Sequence, residues 1–229
     1  AQPEPRYAPG GRVMPSVVII GASRGIGLAF AAAYAAEGWE VHATTRTPED
    51  PGELGDIGGN VTIYGLDVRN GEQIAALARE FEGRTIDHLI NSAGVLRGVS
   101  RDEMMAVNAD APLNIVAALF DAVARSAHKK IAILTSQMGA RHGGGIPSSP
   151  YGESKCILND RFREIEPEWR AAGVTSVVFH PGWVATDMGG AGASVSIDES
   201  VTGMRREIAG LSPADSGKFL TWTGAEHPW

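Results

Sequence analysis

The 229-residue chain has a single cysteine, Cys156, so no intrachain disulfide can staple it, and a reducing, cytoplasmic setting is expected. Positive charge is also scarce: 20 Lys and Arg stand against 27 Asp and Glu, for a formal net charge of -7. That balance supplies no basic face for a phosphate backbone, so no nucleic-acid partner is expected. No apolar run approaches the roughly 18 residues that a membrane span requires, so no membrane partner is expected either. Six histidines show no H-E-x-x-H or similar spacing, which leaves no reason to expect a metal. Residues 1–15 lack the apolar centre of a secretory signal and hold four prolines. They read as a disordered leader or a cloning remnant, and residues 16–229 as one domain. What remains, 43% hydrophobic and 21% charged, is the composition of an ordinary globular protein with a substantial core.

Strand and helix patterns alternate along that domain. Residues 17–20 form a continuous apolar run, as a buried parallel strand does. Residues 26–37 are rich in helix formers and stop at Gly38. Further strands are expected over 40–45, 61–68, 87–92, 131–135, 176–179 and 218–222. Asn70 with Gln73, and Ser100 with Glu103, have the spacing of capping boxes. Pro112 is expected to interrupt or restart the helix that resumes through Leu119 and Val123. A Gly/Pro-rich loop over 143–150 precedes a helix from Tyr151 to about Ala172, and residues 198–208 read as the last helix. This alternation predicts an α/β fold, a doubly wound parallel sheet of about seven strands with helices on both faces.

The first strand runs into Gly21-x-x-x-Gly25-x-Gly27 and then into an alanine-rich helix. Gly21 allows a tight exit from the strand, Gly25 removes a side chain where a diphosphate approaches the backbone, and Gly27 permits close helix–strand packing. The same turn also fits a βα unit with no ligand. About 20 residues on, where a carboxylate serves NAD, the second strand ends Thr44-Thr45-Arg46, and no acid occurs before Glu49. With Arg24 in the turn, Arg46 suits a 2′-phosphate, so NADP(H) is favoured over NAD(H). Both arginines also make ordinary surface charges. Asp67 can accept from an adenine amino group or close the third strand as a turn residue.

Tyr151 and Lys155 are four apart on an expected helix and share a face. An ammonium beside a phenol favours the phenolate and makes the tyrosine a usable proton carrier. Ser136 ends the fifth strand, where its hydroxyl can hold a carbonyl oxygen. His42, His88 and His180 fall on strands and read as structural, whereas His142 lies near the loop expected at the site. Cys156 reads as a packed residue rather than a nucleophile. Trp183 and Met188 fit a substrate pocket or plain packing equally. Residues 189–196, with three glycines, read as a substrate lid.

Taken together, Gly21–Gly27 (GASRGIG), Asp67-Val68, Asn91–Gly94 (NSAG), Asn108, Ser136, Tyr151-x-x-x-Lys155 and Pro181-Gly182 followed by Thr186 resemble the short-chain dehydrogenase/reductase family over nearly all of residues 16–229. The C-terminal sequence from Phe219 to Trp229 is similar to the branch with bacterial C-factor-like proteins and sniffer-type carbonyl reductases, which has members linked to signalling as well as carbonyl reduction. The resemblance implies a single Rossmann-type domain and a catalytic tetrad of Asn108, Ser136, Tyr151 and Lys155. It implies cofactor contacts from Gly21, Ser23, Arg24, Gly25, Ile26, Gly27, Arg46, Asp67 and Val68. Asn91, Ala93 and Gly94 would support the adenosine half, Tyr151 and Lys155 the nicotinamide ribose, and Pro181, Gly182, Val184 and Thr186 the nicotinamide end. Asn108 would hold, through its backbone, a water that links Lys155 to solvent. A homodimer or homotetramer is implied, through the helices around 108–126 and 151–172.

The resulting expectation is an NADP(H)-dependent oxidoreductase moving hydride between nicotinamide and a small-molecule carbonyl or alcohol, with Tyr151 as general acid/base. The alternative is a non-catalytic NADP(H)-sensing regulator. A third reading, epimerisation or dehydration on the same fold, is disfavoured by the short region after residue 190.

Overall fold

The structure, a computed structural model, describes residues 14–142 and 149–229. The expected leader, up to residue 13, and residues 143–148 of the expected Gly/Pro-rich loop lie outside the described residues. Seven strands alternate with helices: β1 Ser16–Ile20, α1 Gly25–Ala36, β2 Glu40–Thr45, β3 Val61–Gly65, α2 Gly71–Glu80, β4 His88–Asn91, α3 Arg101–Met105, α4 Ala111–Ala124, β5 Lys130–Leu134, α5 Pro150–Ala171, β6 Thr175–His180, α6 Ile197–Gly210 and β7 Phe219–Thr221. The strand order is β3-β2-β1-β4-β5-β6-β7, all neighbours parallel. The order reverses beside β1, so a crevice opens beyond the carboxyl ends of β1 and β4.

Both faces of the sheet are covered, which is why β1, β2 and β4 are buried throughout instead of alternating. In β1, Val18 and Ile20 pack with Ile115 and Leu119 of α4 and with Leu158 and Phe162 of α5. Val17 and Ile19 face the other way, toward Phe30 and Tyr34 of α1 and Met204 and Ile208 of α6. One residue of slip in β1 would exchange these two sets, so its register is firmly specified.

Three local expectations are revised or narrowed. The third strand ends at Gly65, and Leu66 and Asp67 beyond it line the crevice. Both predicted capping boxes close on one side only. Asn70 accepts from the Glu72 and Gln73 N–H groups, and Ser100 from that of Glu103. The Gln73 amide instead accepts from the Asp67 N–H at 2.6 Å, and Glu103 pairs with Arg69. Finally, of the two outcomes expected at Pro112, the helix restarts there and is not interrupted. A π turn over Ala106–Asp110 joins α3 to α4, and Pro112 enters at the first turn of α4. The wider turn leaves room for a residue that donates no N–H. The joined helix, Arg101–Ala124, is long and apolar enough by composition to cross a membrane. Its apolar side chains Ile115, Val116, Leu119 and Val123 are buried against the sheet, as in a core helix.

Candidate active site

The carboxyl ends of six strands converge on one cavity of about 530 Å³. Gly21 leaves β1 with φ of +81°. A side chain there would lie 2.8 Å from the Ala93 Cα, so only glycine lets the β1 and β4 exits approach this closely. The Gly21 N–H donates to Thr44 Oγ1 at 3.0 Å, which fixes the turn to β2. A Cβ on Gly27 would fall 2.0 Å from the Gly21 carbonyl oxygen, so this glycine serves packing, as its spacing suggests.

Helix α1 begins without a side-chain cap and without an acid in its first turn. By contrast, α2, α3, α5 and α6 each start on an Asn or Ser that caps them. The uncapped N–H groups and the positive dipole end of α1 therefore face the cavity between Gly21 and Ile26. A diphosphate fits that opening chemically.

Most of the sequence-derived residues line this cavity: Gly21, Ser23, Arg24, Gly25, Ile26, Arg46, Asp67, Val68, Ala93, Gly94, Tyr151, Lys155, Pro181 and Thr186. Others stand behind its wall. Asn91 is buried at the end of β4, and its side-chain amide has no hydrogen-bond partner among the described residues. Gly182 lies beneath Trp222, and Val184 is buried and bridges to Val195. Asn108 sits inside the π turn, fully buried. Its Oδ1 accepts from the Val95 N–H at 2.9 Å, and its Nδ2 donates to the Val95 carbonyl at 2.8 Å and to Ser154 Oγ at 3.0 Å. Asn108 thus clamps the β4 exit to α5, one residue before Lys155.

Tyr151 occupies the first turn of α5, which starts on the Ser149 cap with Pro150 as its first residue. Its phenol neighbours the Ser136 side chain. Ser136 itself is oriented by the Met138 N–H, which donates to its Oγ at 3.1 Å. Lys155 is 3% exposed, and its Nζ donates to the Leu134 carbonyl at 3.0 Å. It stands 6.0 Å from the centre of the Tyr151 ring.

These environments revise one expectation. Burial pushes the Tyr151 phenol up to about 12, and the neighbouring Ser136 hydroxyl only partly opposes this. Burial lowers Lys155 to about 8. The shared helix face predicted from the sequence is present, but the ammonium turns toward the β5 carbonyl and does not acidify the phenol.

At the far end, the Arg69 fork spans Asp67 and Glu103, with contacts of 2.7 and 2.6 Å. Arg46 is exposed nearby and adds to the field that lowers Asp67 to about 2, after the dominant Arg69 hydrogen bond. Arg24 lies 3.5 Å from Asp187. The expected lid folds back rather than hanging loose: Val195 N–H donates to the Trp183 carbonyl at 3.0 Å, and Ala185 N–H to the Val195 carbonyl at 2.9 Å. Arg97 also donates to the Met188 carbonyl at 2.9 Å.

The open readings resolve by position. Met188 lines the cavity, whereas Trp183 is 55% exposed and donates to the Gly189 carbonyl. His142 is exposed, and its N–H meets the Trp229 carbonyl. Cys156 is buried, and its backbone packs against Gly139. His88 is buried on Tyr34 at 2.9 Å, in keeping with a structural role. Sequence reasoning missed Arg69, Glu103, Val95, Asp187 and the Leu134 carbonyl. Of these, Arg69, Val95 and Asp187 directly follow the motif residues Val68, Gly94 and Thr186, and Glu103 had the spacing of a cap, whereas the Leu134 carbonyl carried no signal.

The profile of the short chain dehydrogenase family matches residues 15–194. C-signal of Myxococcus xanthus is 38% identical over 156 residues, spanning 63% of this chain and 93% of that protein. The crystal structure of NADPH-bound carbonyl reductase from chicken fatty liver superimposes with a TM-score of 0.85 at 31% identity, covering 94% of this chain and 99% of that one. The carbonyl reductase Sniffer of Drosophila melanogaster shares the fold, with a TM-score of 0.86 at 24% identity over 94% of this chain and all of its own. These likenesses agree with the branch read from the sequence. The chain belongs to the short chain dehydrogenase family.

Proposed function

We propose that the protein is an NADP(H)-dependent carbonyl reductase. The observation that carries this reading is one cavity that joins the uncapped N-terminus of α1 and its flanking arginines to Tyr151 and Lys155, with Ser136 beside the phenol. The NADPH named for the chicken enzyme, together with Arg24 and Arg46, supports NADP(H) over NAD(H).

When bound, NADPH supplies the hydride. Gly21 to Ile26 would hold its diphosphate on the α1 N–H groups, with Arg24 and Arg46 on the 2′-phosphate. Lys155, fixed by Leu134, has N–H donors left for the ribose hydroxyls. Asn108, through its backbone, would hold the water that links Lys155 to solvent. Ser136 would donate to the substrate carbonyl oxygen, and Tyr151 would give that oxygen its phenolic proton. A phenol held at about 12 is fully protonated at neutral pH, which suits the direction of reduction. In the reverse direction the same residues would take the alcohol proton. Val95, Val99, Val107 and Met188 give part of the cavity wall an apolar character, suited to an uncharged carbonyl compound beside the nucleotide. A cytoplasmic location and assembly into a dimer or tetramer through α4 and α5 belong to the same reading.

The likeness to C-signal keeps a second reading in view, an NADP(H)-sensing regulator without turnover. One experiment separates them. NADPH deuterated at its transferable position is incubated with a panel of aldehydes and ketones, and NADPH binding is followed in parallel by fluorescence. The reductase reading expects deuterium on the product carbinol carbon. Tight binding with no transfer to any of the panel overturns it in favour of the sensor.

A further inference from the structure

We propose that Arg69 is a positioning residue for the purine of the nucleotide, aiming one free acceptor of Asp67 at an exocyclic amino group. The inference rests on the NADP(H) reading and goes beyond it, because Arg69 is not among the residues from which that reading is drawn.

The Asp67 carboxylate is almost fully subscribed. Its Oδ1 accepts from the Arg69 N–H and from Arg69 Nε, both at 3.0 Å, and its Oδ2 accepts from the other arm of the guanidinium at 2.7 Å. A carboxylate oxygen takes two hydrogen bonds. Among the described residues, Oδ1 is therefore filled and Oδ2 keeps one lone pair. The Asp67 backbone is fixed too, since its N–H donates to Gln73 Oε1. The remaining guanidinium arm is anchored at 2.6 Å on Glu103, in the first turn of α3. Asp67 thus has neither rotational freedom nor protonation freedom: the guanidinium keeps it ionised far below neutral pH.

Asp67, Arg69 and Glu103 all line the cavity, at the end away from Tyr151 and beside Leu66 and Val68. The ion pairs are partly exposed, with Arg69 at 41% and Asp67 at 30%. Pairs of that kind add little to a fold. Such a fixed, acceptor-only group is better explained by recognition. It welcomes an N–H donor and repels a carbonyl oxygen, so the site takes an aminopurine and turns away an oxopurine.

The test measures dissociation constants by nucleotide fluorescence, without substrate, for NADPH and for its hypoxanthine analogue, in which a carbonyl replaces the adenine amino group. Wild type is expected to prefer NADPH by about tenfold, the scale of one charge-assisted hydrogen bond. Arg69→Ala is expected to bring the ratio within about twofold, mainly by weakening NADPH. Arg69→Lys, which keeps the charge but loses the fork, is expected to fall on the same side. A merely structural role would weaken both nucleotides alike and leave the ratio unchanged. Equal binding of the two by wild type, or a full preference retained in both variants, overturns the proposal alone. Failure of wild type to bind either nucleotide overturns the NADP(H) reading with it.

Discussion

Lys155 and Leu134 form the hinge of this site: the buried ammonium donates to the β5 carbonyl at 3.0 Å and stands over the Tyr151 ring without reaching its hydroxyl. The lysine is therefore a fixed charge placed by the sheet, and its burial is a cost to the fold rather than a gain.

That cost has a sign. Burial lowers Lys155 to about 8 from an ordinary 10.5. Below about 8 the group is charged in both folded and unfolded chains, and the whole penalty is present. Between about 8 and 10.5 the unfolded chain holds a proton that the folded chain has released, so stability rises with pH. Lys155→Met is expected to raise Tm at neutral pH, by about 2–4 °C for each kcal/mol relieved, while turnover falls. Thermal unfolding across this pH range checks it, and the gain over wild type should shrink toward pH 10.5.

The same residue sets the alkaline limb of reduction. Tyr151 remains protonated up to about 12, so loss of the Lys155 charge comes first, near 8. kcat/KM for reduction, which reports the free enzyme, is expected to be level through neutrality and to decline with a midpoint near 8. A single limb near the ordinary tyrosine value of about 10 would assign the titration differently.

Cofactor choice is expected to depend on the arginines. Arg46→Ala should weaken NADPH by about tenfold or more, the worth of a charge-assisted bond, and leave NADH within about twofold. Titrations with both nucleotides check it. Equal losses for the two would place Arg46 away from the 2′-phosphate.

Gly21→Ala is expected to destabilise by more than about 1 kcal/mol, because the backbone lies at φ of +81° and the new carbon would meet Ala93 at 2.8 Å. Its Tm should drop by several degrees, and added NADPH should recover little of the loss.

The functional residues at strand ends were legible because each is a side chain at a fixed offset from an apolar run: Arg46 after β2 and Asp67 after β3, both lining the cavity, and Ser136 after β5. The Gly21 turn and the shared face of Tyr151 and Lys155 were legible for the same reason. The direction of the Lys155 ammonium was not, since its partner is a main-chain carbonyl and any residue at position 134 would offer one. Gln73 and Glu103 had the spacing of caps, yet each found a competing partner, Gln73 the Asp67 N–H six residues back and Glu103 the distant Arg69, that the capping pattern does not display. Pro112 obeyed the rule that it cannot donate within a helix, but a π turn supplied the room before it.

The most direct measurement compares wild type with Tyr151→Phe, recording NADPH oxidation with a reducible carbonyl compound and NADPH affinity on the same samples. A proton-donating Tyr151 predicts that turnover falls by about 10²–10⁴-fold while affinity stays within about twofold. Turnover at the wild-type rate in the phenylalanine variant would contradict it.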